Sequence, residues 1–135
     1  MTDRIDPTGR TARATTLVVE DDHNNRELLI RLLDGCGLAC DHAVTLAEAL
    51  DKLQAVPKLV LLDLQLPDGD GVDVLRAIRA RRLPVGVGVM TGCAEENRLA
   101  ELRTFLPDAI FIKPVDITDM LAWVQAYLRN ADALA

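Results

Sequence analysis

The sequence predicts an α/β protein, a single domain built on a parallel sheet with helices on both faces. Three observations lead there. Short apolar or β-branched runs alternate with amphipathic helical patterns along the chain, and that alternation implies strands joined by crossover helices. The run Leu59–Leu62 is uniformly apolar and reads as a buried strand, with a turn signal close behind it. The length of 135 residues suits one domain with one core.

The elements follow in order. Residues 1–15 mix Arg4, Arg10 and Arg13 with Asp3, Asp6, Pro7 and Gly9, lack the apolar core of a signal peptide, and read as a flexible N-terminal tail. The first strand is Thr16–Val19. Leu28, Leu29, Leu32 and Leu33 then line one face of a helix that ends near Gly35, with Asn24 and Glu27 at capping-box spacing. A weaker run, Leu38–Val44, suits an edge strand. Thr45 with Glu48 starts a second helix carrying Leu46, Ala49, Leu50 and Leu53, and Pro57 closes it. After the strand Leu59–Leu62 comes a helix with Val74, Leu75 and Ile78, stopped before Pro84. A strand within Pro84–Met90 precedes a helix with Leu99, Leu102 and Leu106, stopped before Pro107. Ala109–Ile112 is the last strand. Asp116 caps the last helix, which carries Ile117, Met120, Leu121, Val124 and Leu128. The domain is expected over residues 16–130, with 131–135 as a C-terminal tail.

Composition excludes several classes. Half the residues are hydrophobic, so a packed globule is expected rather than disorder. Aromatics make up 3%, so the core must be mostly Leu, Val, Ile and Ala. The net charge is −6 and no basic stripe appears, which argues against direct nucleic-acid binding. The nearest candidate is the cluster Arg76, Arg79, Arg81 and Arg82, which sits where a helix should end and where cations suit the helix dipole. No apolar run approaches the roughly 18 residues that span a membrane. The three cysteines Cys36, Cys40 and Cys93 are an odd set without zinc-ligand spacing, and they fit a reducing, cytoplasmic setting.

The polar residues at the strand ends carry the chemistry. In open parallel sheets, ligands sit beyond the carboxyl ends of the strands. Glu20, Asp21 and Asp22 follow one strand; Asp63, Thr91 and Lys113 follow three others. Carboxylates crowded together repel one another, and a hard divalent cation such as Mg²⁺, which prefers oxygen ligands, relieves that. Lys113 adds a compact positive charge for a phosphate, and Thr91 can donate a hydroxyl hydrogen bond. Asp63 is then a candidate nucleophile, able to form an aspartyl phosphate.

These residues resemble the receiver domain of two-component response regulators. The resemblance rests on Val18-Val19-Glu20-Asp21-Asp22 with Arg26, on Leu61-Leu62-Asp63 through Asp70-Gly71, on Val89-Met90-Thr91-Gly92, and on Lys113-Pro114. It implies a flavodoxin-like, doubly wound, five-stranded parallel sheet in the order 2-1-3-4-5 with five helices. It implies that Asp63 accepts a phosphoryl group from a sensor histidine kinase or a phosphotransfer protein. Asp21, Asp63 and the backbone carbonyl of Gln65 would bind Mg²⁺, and Glu20 would hold a metal-bound water. Thr91 would be the switch hydroxyl, and Lys113 would pair with the phosphoryl group before a cis bond to Pro114. Such a protein is not a conventional enzyme: it catalyses only its own phosphorylation and dephosphorylation. Ile110 departs from the pattern, because the family usually carries an aromatic three positions before the lysine. Phe111 is adjacent, but strand alternation points it to the other face. Either an aliphatic side chain gates the switch or the switch is altered. Gln65 and Cys93 fall at positions associated with tuning dephosphorylation.

The family also implies output through protein contacts on the fourth helix, last strand and last helix, where a downstream protein or a second copy would dock. Trp123 and Tyr127, four residues apart on the last helix, either anchor such a partner or seal the core edge. Three alternatives are kept beside this reading. One is a receiver-like interaction module that is never phosphorylated. Another is a receiver cut from a longer effector protein. The third is a phosphatase with an aspartyl nucleophile; it would need an Asp at the position of Gln65, which counts against it.

Overall fold

Five parallel strands form the central sheet of the computed structural model, which describes residues 4–5, 11–12 and 16–134. In chain order we label the strands β1 (Thr16–Val19), β2 (Cys40–Ala43), β3 (Leu59–Asp63), β4 (Gly86–Thr91) and β5 (Ala109–Ile112). The helices are α1 (His23–Gly35), α2 (Leu46–Lys52, continued by a 3₁₀ turn over Leu53–Ala55), α3 (Val72–Ala80), α4 (Glu96–Thr104) and α5 (Ile117–Leu134). The spatial order is β2-β1-β3-β4-β5, the doubly wound order that the resemblance implied. Registers align Val19 with Leu62, Asp63 with Met90, and Thr91 with Ile112. The strand ends that carry Glu20, Asp63, Thr91 and Lys113 therefore finish at one edge of the sheet.

Strand alternation divides the core in two. Leu17, Val19, Val60, Leu62, Val87 and Val89 face α2, α3 and α4, where Ala49, Leu75, Ile78 and Leu102 meet them. Val18, Leu59, Leu61 and Met90 face α1 and α5, where Leu29, Leu33, Met120 and Val124 meet them. Burying one such leucine contributes about 1.5–3 kcal/mol. The second face also houses the aromatic rings. A Cβ on Gly88 would lie 2.8 Å from the Trp123 ring, and one on Gly86 would lie 2.3 Å from the Tyr127 ring. The two glycines thus make a floor in β4 on which α5 lays its aromatics. Phe111 completes the group, edge-on to Trp123 with ring centroids 5.7 Å apart. Both α5 rings seal the core, one of the two roles foreseen for them.

Several local expectations need correction. The cap of α1 is Asp22, whose Oδ2 accepts from Asn25 N at 2.8 Å, rather than Asn24. Leu28 is 48% exposed, because α1 packs through Leu29 and Leu33. Leu106 is 71% exposed and lies beyond α4 with a φ of 54°. The following proline disfavours helical backbone at that position. Residues 131–134, expected as a C-terminal tail, continue α5; Ala131, Ala133 and Leu134 are strong helix formers. The expected N-terminal tail lies largely outside the described residues, apart from an antiparallel pairing of Arg4–Ile5 with Thr11–Ala12. The Thr45 cap holds as expected: its Oγ1 accepts from Glu48 N at 3.1 Å. Asp116 caps α5 in the same way, accepting from Asp119 N at 3.1 Å.

The arginine cluster serves the fold. Arg79 donates to the carbonyls of Phe105 at 3.0 Å and Val85 at 3.3 Å and pairs with Asp108 at 3.2 Å, joining α3 to the turn before β5. Arg76 lies over the Phe105 ring, 5.2 Å from its centroid. None of the three cysteines is in a disulfide, and no helix among the described residues is long and apolar enough to cross a membrane.

Candidate functional site

The acidic loop after β1 is fixed by its own backbone. Glu20 N donates to Ala43 O at 3.0 Å, extending the β1 ladder by one residue and burying the Glu20 side chain. Glu20 Oε1 accepts from Asp22 N at 3.1 Å. From α1, Arg26 Nη1 donates to the carbonyls of Glu20 at 3.1 Å and Asp21 at 3.3 Å. One guanidinium therefore pins the loop that carries two acids, while Asp21 itself stays exposed.

Asp63 ends β3 and is 2% exposed. Its two oxygens have different partners: Oδ1 accepts from Gln65 N at 3.0 Å, and Oδ2 accepts from Lys113 Nζ at 2.7 Å. Lys113 reaches it from just beyond β5. Its backbone N donates to Thr91 O at 2.8 Å, so the ends of β4 and β5 are tied together. The Lys113–Pro114 bond is cis, as the resemblance implied. Thr91 is buried, and its hydroxyl is engaged within its own turn, donating to Cys93 O at 3.3 Å and accepting from Cys93 N at 3.1 Å. A cleft of about 450 Å³ opens above these groups, lined by Asp63, Gln65, Thr91, Cys93 and Arg98 among others.

Glu20, Asp21 and Asp63 offer carboxylate oxygens that all lie within 4.8 Å of one another. Burial, then a hydrogen bond to Asp63 and the Asp63 charge, push the Glu20 carboxyl up to about 7. That is how buried acids behave when they lack enough positive charge; one ammonium group faces three carboxyls here. The donor set is all oxygen and suits a hard divalent cation such as Mg²⁺. These three residues could hold it.

The structure thus brings together the predicted residues Glu20, Asp21, Asp63, Thr91 and Lys113, with Gln65 bordering the same cleft. Ile110 packs against the Val87–Val89 face of the core, and Phe111 packs on the opposite face, as strand alternation requires. Sequence reasoning assigned no role to Gly71, Asp70 or Arg98. Gly71 presses on the backbone of Asp63: a Cβ there would fall 2.5 Å from Asp63 O and 2.8 Å from Leu64 Cα. Asp70 Oδ1 accepts from Arg98 Nη2 at 2.7 Å across 28 residues of sequence. The Asp-Gly pair after the turn was the available signal for the first two.

Comparison with known proteins identifies the family. The profile of the response regulator receiver domain matches residues 16–125, and the chain belongs to that family. Its role is therefore in phosphorylation-based two-component signalling, where receiver domains interact with histidine kinases and effector domains. An uncharacterized 14.6 kDa protein of Leptolyngbya boryana is 34% identical over 122 residues, covering 86% of this chain and 91% of the relative. The transcriptional regulatory protein ResD of Bacillus subtilis is 33% identical over 123 residues, covering 90% of this chain and 51% of ResD. The chain thus spans about half the length of ResD, and 52% of the regulator KdpE of Escherichia coli. Among solved structures, a CheY-like receiver domain protein from Methanospirillum hungatei superposes with a TM-score of 0.80 at 26% identity, covering 89% of this chain and 97% of that one.

Proposed function

We propose that this chain is a phosphorylation-dependent switch that takes a phosphoryl group onto Asp63 from a histidine kinase or a phosphotransfer protein, in a Mg²⁺-dependent reaction. The observation that carries the reading is the contact of Lys113 Nζ with Asp63 Oδ2 at 2.7 Å, inside a pocket that also gathers Glu20 and Asp21. An Asp63 carboxylate oxygen attacks phosphorus and forms a P–O bond. The P–N bond of the phosphohistidine breaks, and its electron pair stays on the imidazole nitrogen. Lys113 offsets charge on the transferred oxygens, and Gln65 N–H keeps Asp63 oriented. Asp21, Asp63 and the Gln65 carbonyl would hold Mg²⁺, with Glu20 holding its water; the ion supplies charge neutralisation for the phosphoryl oxygens. Thr91 would release Cys93 O and donate to a phosphoryl oxygen, drawing the β4–α4 loop inward.

The reaction is confined to the protein itself, with no turnover of external substrates beyond the donor. Output would pass from α4, β5 and α5 to a downstream protein or a second copy. Two apolar residues stand exposed on that side, Leu106 and Ile112, the latter 46% accessible on the edge strand. A cytoplasmic setting agrees with a histidine-kinase donor.

The test is intact mass after incubation with acetyl phosphate and Mg²⁺. Wild type should gain one phosphoryl group and Asp63→Asn none. A folded wild type that gains nothing supports the module that is never phosphorylated. Hydrolysis of many donor equivalents without an adduct supports the phosphatase.

A further inference from the structure

We infer that Arg98 is a positioning residue for the phosphoryl group on Asp63, held away by Asp70 until that group arrives. The inference rests on the acceptor role proposed for Asp63. Arg98 stands on the first turn of α4 and lines the same cleft as Asp63 and Thr91. Its present partners are the carboxylates of Asp70, at 2.7 Å, and Glu101. Neither partner belongs to the acidic cluster, so Arg98 is a cation parked at the rim of a pocket that is short of positive charge.

Phosphoryl transfer changes the competition for that cation. It replaces the single charge of a carboxylate with about −1.5 to −2 on three acceptor oxygens. Among the described residues, Lys113 is the one ammonium in direct contact with Asp63. A guanidinium matches phosphate oxygens in bidentate geometry, whereas Arg98 now meets Asp70 through a single oxygen, Oδ1. The Asp70 side chain is 45% exposed, so water weakens its hold on Arg98. Asp70 also keeps a second task when Arg98 leaves, because its Oδ1 accepts from Val72 N at 3.0 Å at the start of α3. The exchange therefore breaks the ion pair with Asp70, while Glu101, three residues on in the same helix, moves with Arg98 and the Asp70–Val72 N bond stays in place. It moves the first turn of α4, the helix that follows the Thr91 loop, and so joins the chemistry to an output element.

The test is a double-mutant cycle on the full chain. The rate of phosphorylation by acetyl phosphate with Mg²⁺ is followed by intact mass for wild type, Arg98→Gln, Arg98→Lys, Asp70→Asn and the Asp70→Asn, Arg98→Gln double variant. Asparagine keeps a side-chain oxygen for Val72 N, and thermal melts check that each variant folds. Arg98→Gln should slow phosphorylation roughly three- to tenfold, the size of one partly exposed charge-assisted contact. Arg98→Lys should recover part of the loss. Asp70→Asn should speed the reaction in the wild-type background and have no effect once Arg98 is gone. The inference is overturned if Arg98→Gln leaves the rate unchanged, or if Asp70→Asn accelerates both backgrounds alike, which would mark a general charge effect. A folded wild type that takes no phosphoryl group removes the acceptor role itself, and this inference with it.

Discussion

Gly71 sets the backbone beneath Asp63 by what it lacks. Its N–H donates to Leu64 O at 2.8 Å, and a methyl group there would strike Asp63 O at 2.5 Å. Backbone cannot move aside as a flexible side chain can, so Gly71→Ala must displace the strand end carrying Asp63. We expect a loss of about 1–3 kcal/mol in urea unfolding, the usual size for overpacking a tight site, together with slower phosphorylation. Gly35→Ala is the control, since a Cβ there meets nothing within 4 Å; at the end of helix α1 it should leave stability unchanged or raise it by up to about 1 kcal/mol. If Gly71→Ala matches that control, the close approach does not constrain Asp63. Ile110 shows the same dependence on position. It occupies the register of the family's usual aromatic but packs into the face shared with α3 and α4, while the nearby aromatic, Phe111, is committed to Trp123 across the sheet. No ring therefore stands at that position.

Among the elements, the segment between β3 and α3 is tied to three helices. Asp70 links it to α3 and α4. Asp68 links it to α2, accepting from Leu46 N at 2.7 Å and Ala47 N at 3.1 Å. With Thr45 capping Glu48 N, the first three N–H groups of α2 all have acceptors, as a helix start requires. Those two N–H bonds hold the Asp68 carboxyl below its ordinary value of 3.8. Its contribution to stability is therefore complete above about 3.8 and disappears as pH falls through the lower folded-state value. Asp68→Asn should lower the urea midpoint near neutral pH, and the gap to wild type should close in acid. A gap that stays constant with pH would deny the carboxylate this role. Such long-range ties also mark the limit of what the chain reveals before folding. The strands and helices were legible because apolar residues recur with their period, and the site was legible because Glu20, Asp63, Thr91 and Lys113 each directly follow or end an apolar run. The partnership of Asp70 with Arg98 was not. Both are surface residues with no periodic signature, and only the placement of α4 beside the β3–α3 segment brings them together. The α1 cap was misplaced for a related reason: within the polar run Asp21–Asn25 several side chains could cap, and the hydrophobic pattern does not choose among them.

For the whole molecule, folding concentrates negative charge that the unfolded chain would spread out. The protein carries a net charge of −6, and its fold places three carboxyls within 4.8 Å of one another at one end of the sheet. Unfolding separates them, so a divalent cation held by that cluster binds the native state in preference and must stabilise it. A metal at a hundredfold excess over its dissociation constant contributes about 2.7 kcal/mol. For a domain of this size that corresponds to a rise in Tm of roughly ten degrees. Mg²⁺ should produce this shift in the wild type, whereas NaCl at equal ionic strength, which only screens, should produce much less. Asp21→Asn separates binding from screening. It removes one of the clustered charges at an exposed position, so the metal-free variant should melt no lower than wild type, while its response to Mg²⁺ should largely vanish. A Mg²⁺ shift of equal size in wild type and Asp21→Asn would mean that the ion acts elsewhere. The acids gathered by the sheet would then be neutralised by Lys113 and by the protonation of Glu20 alone.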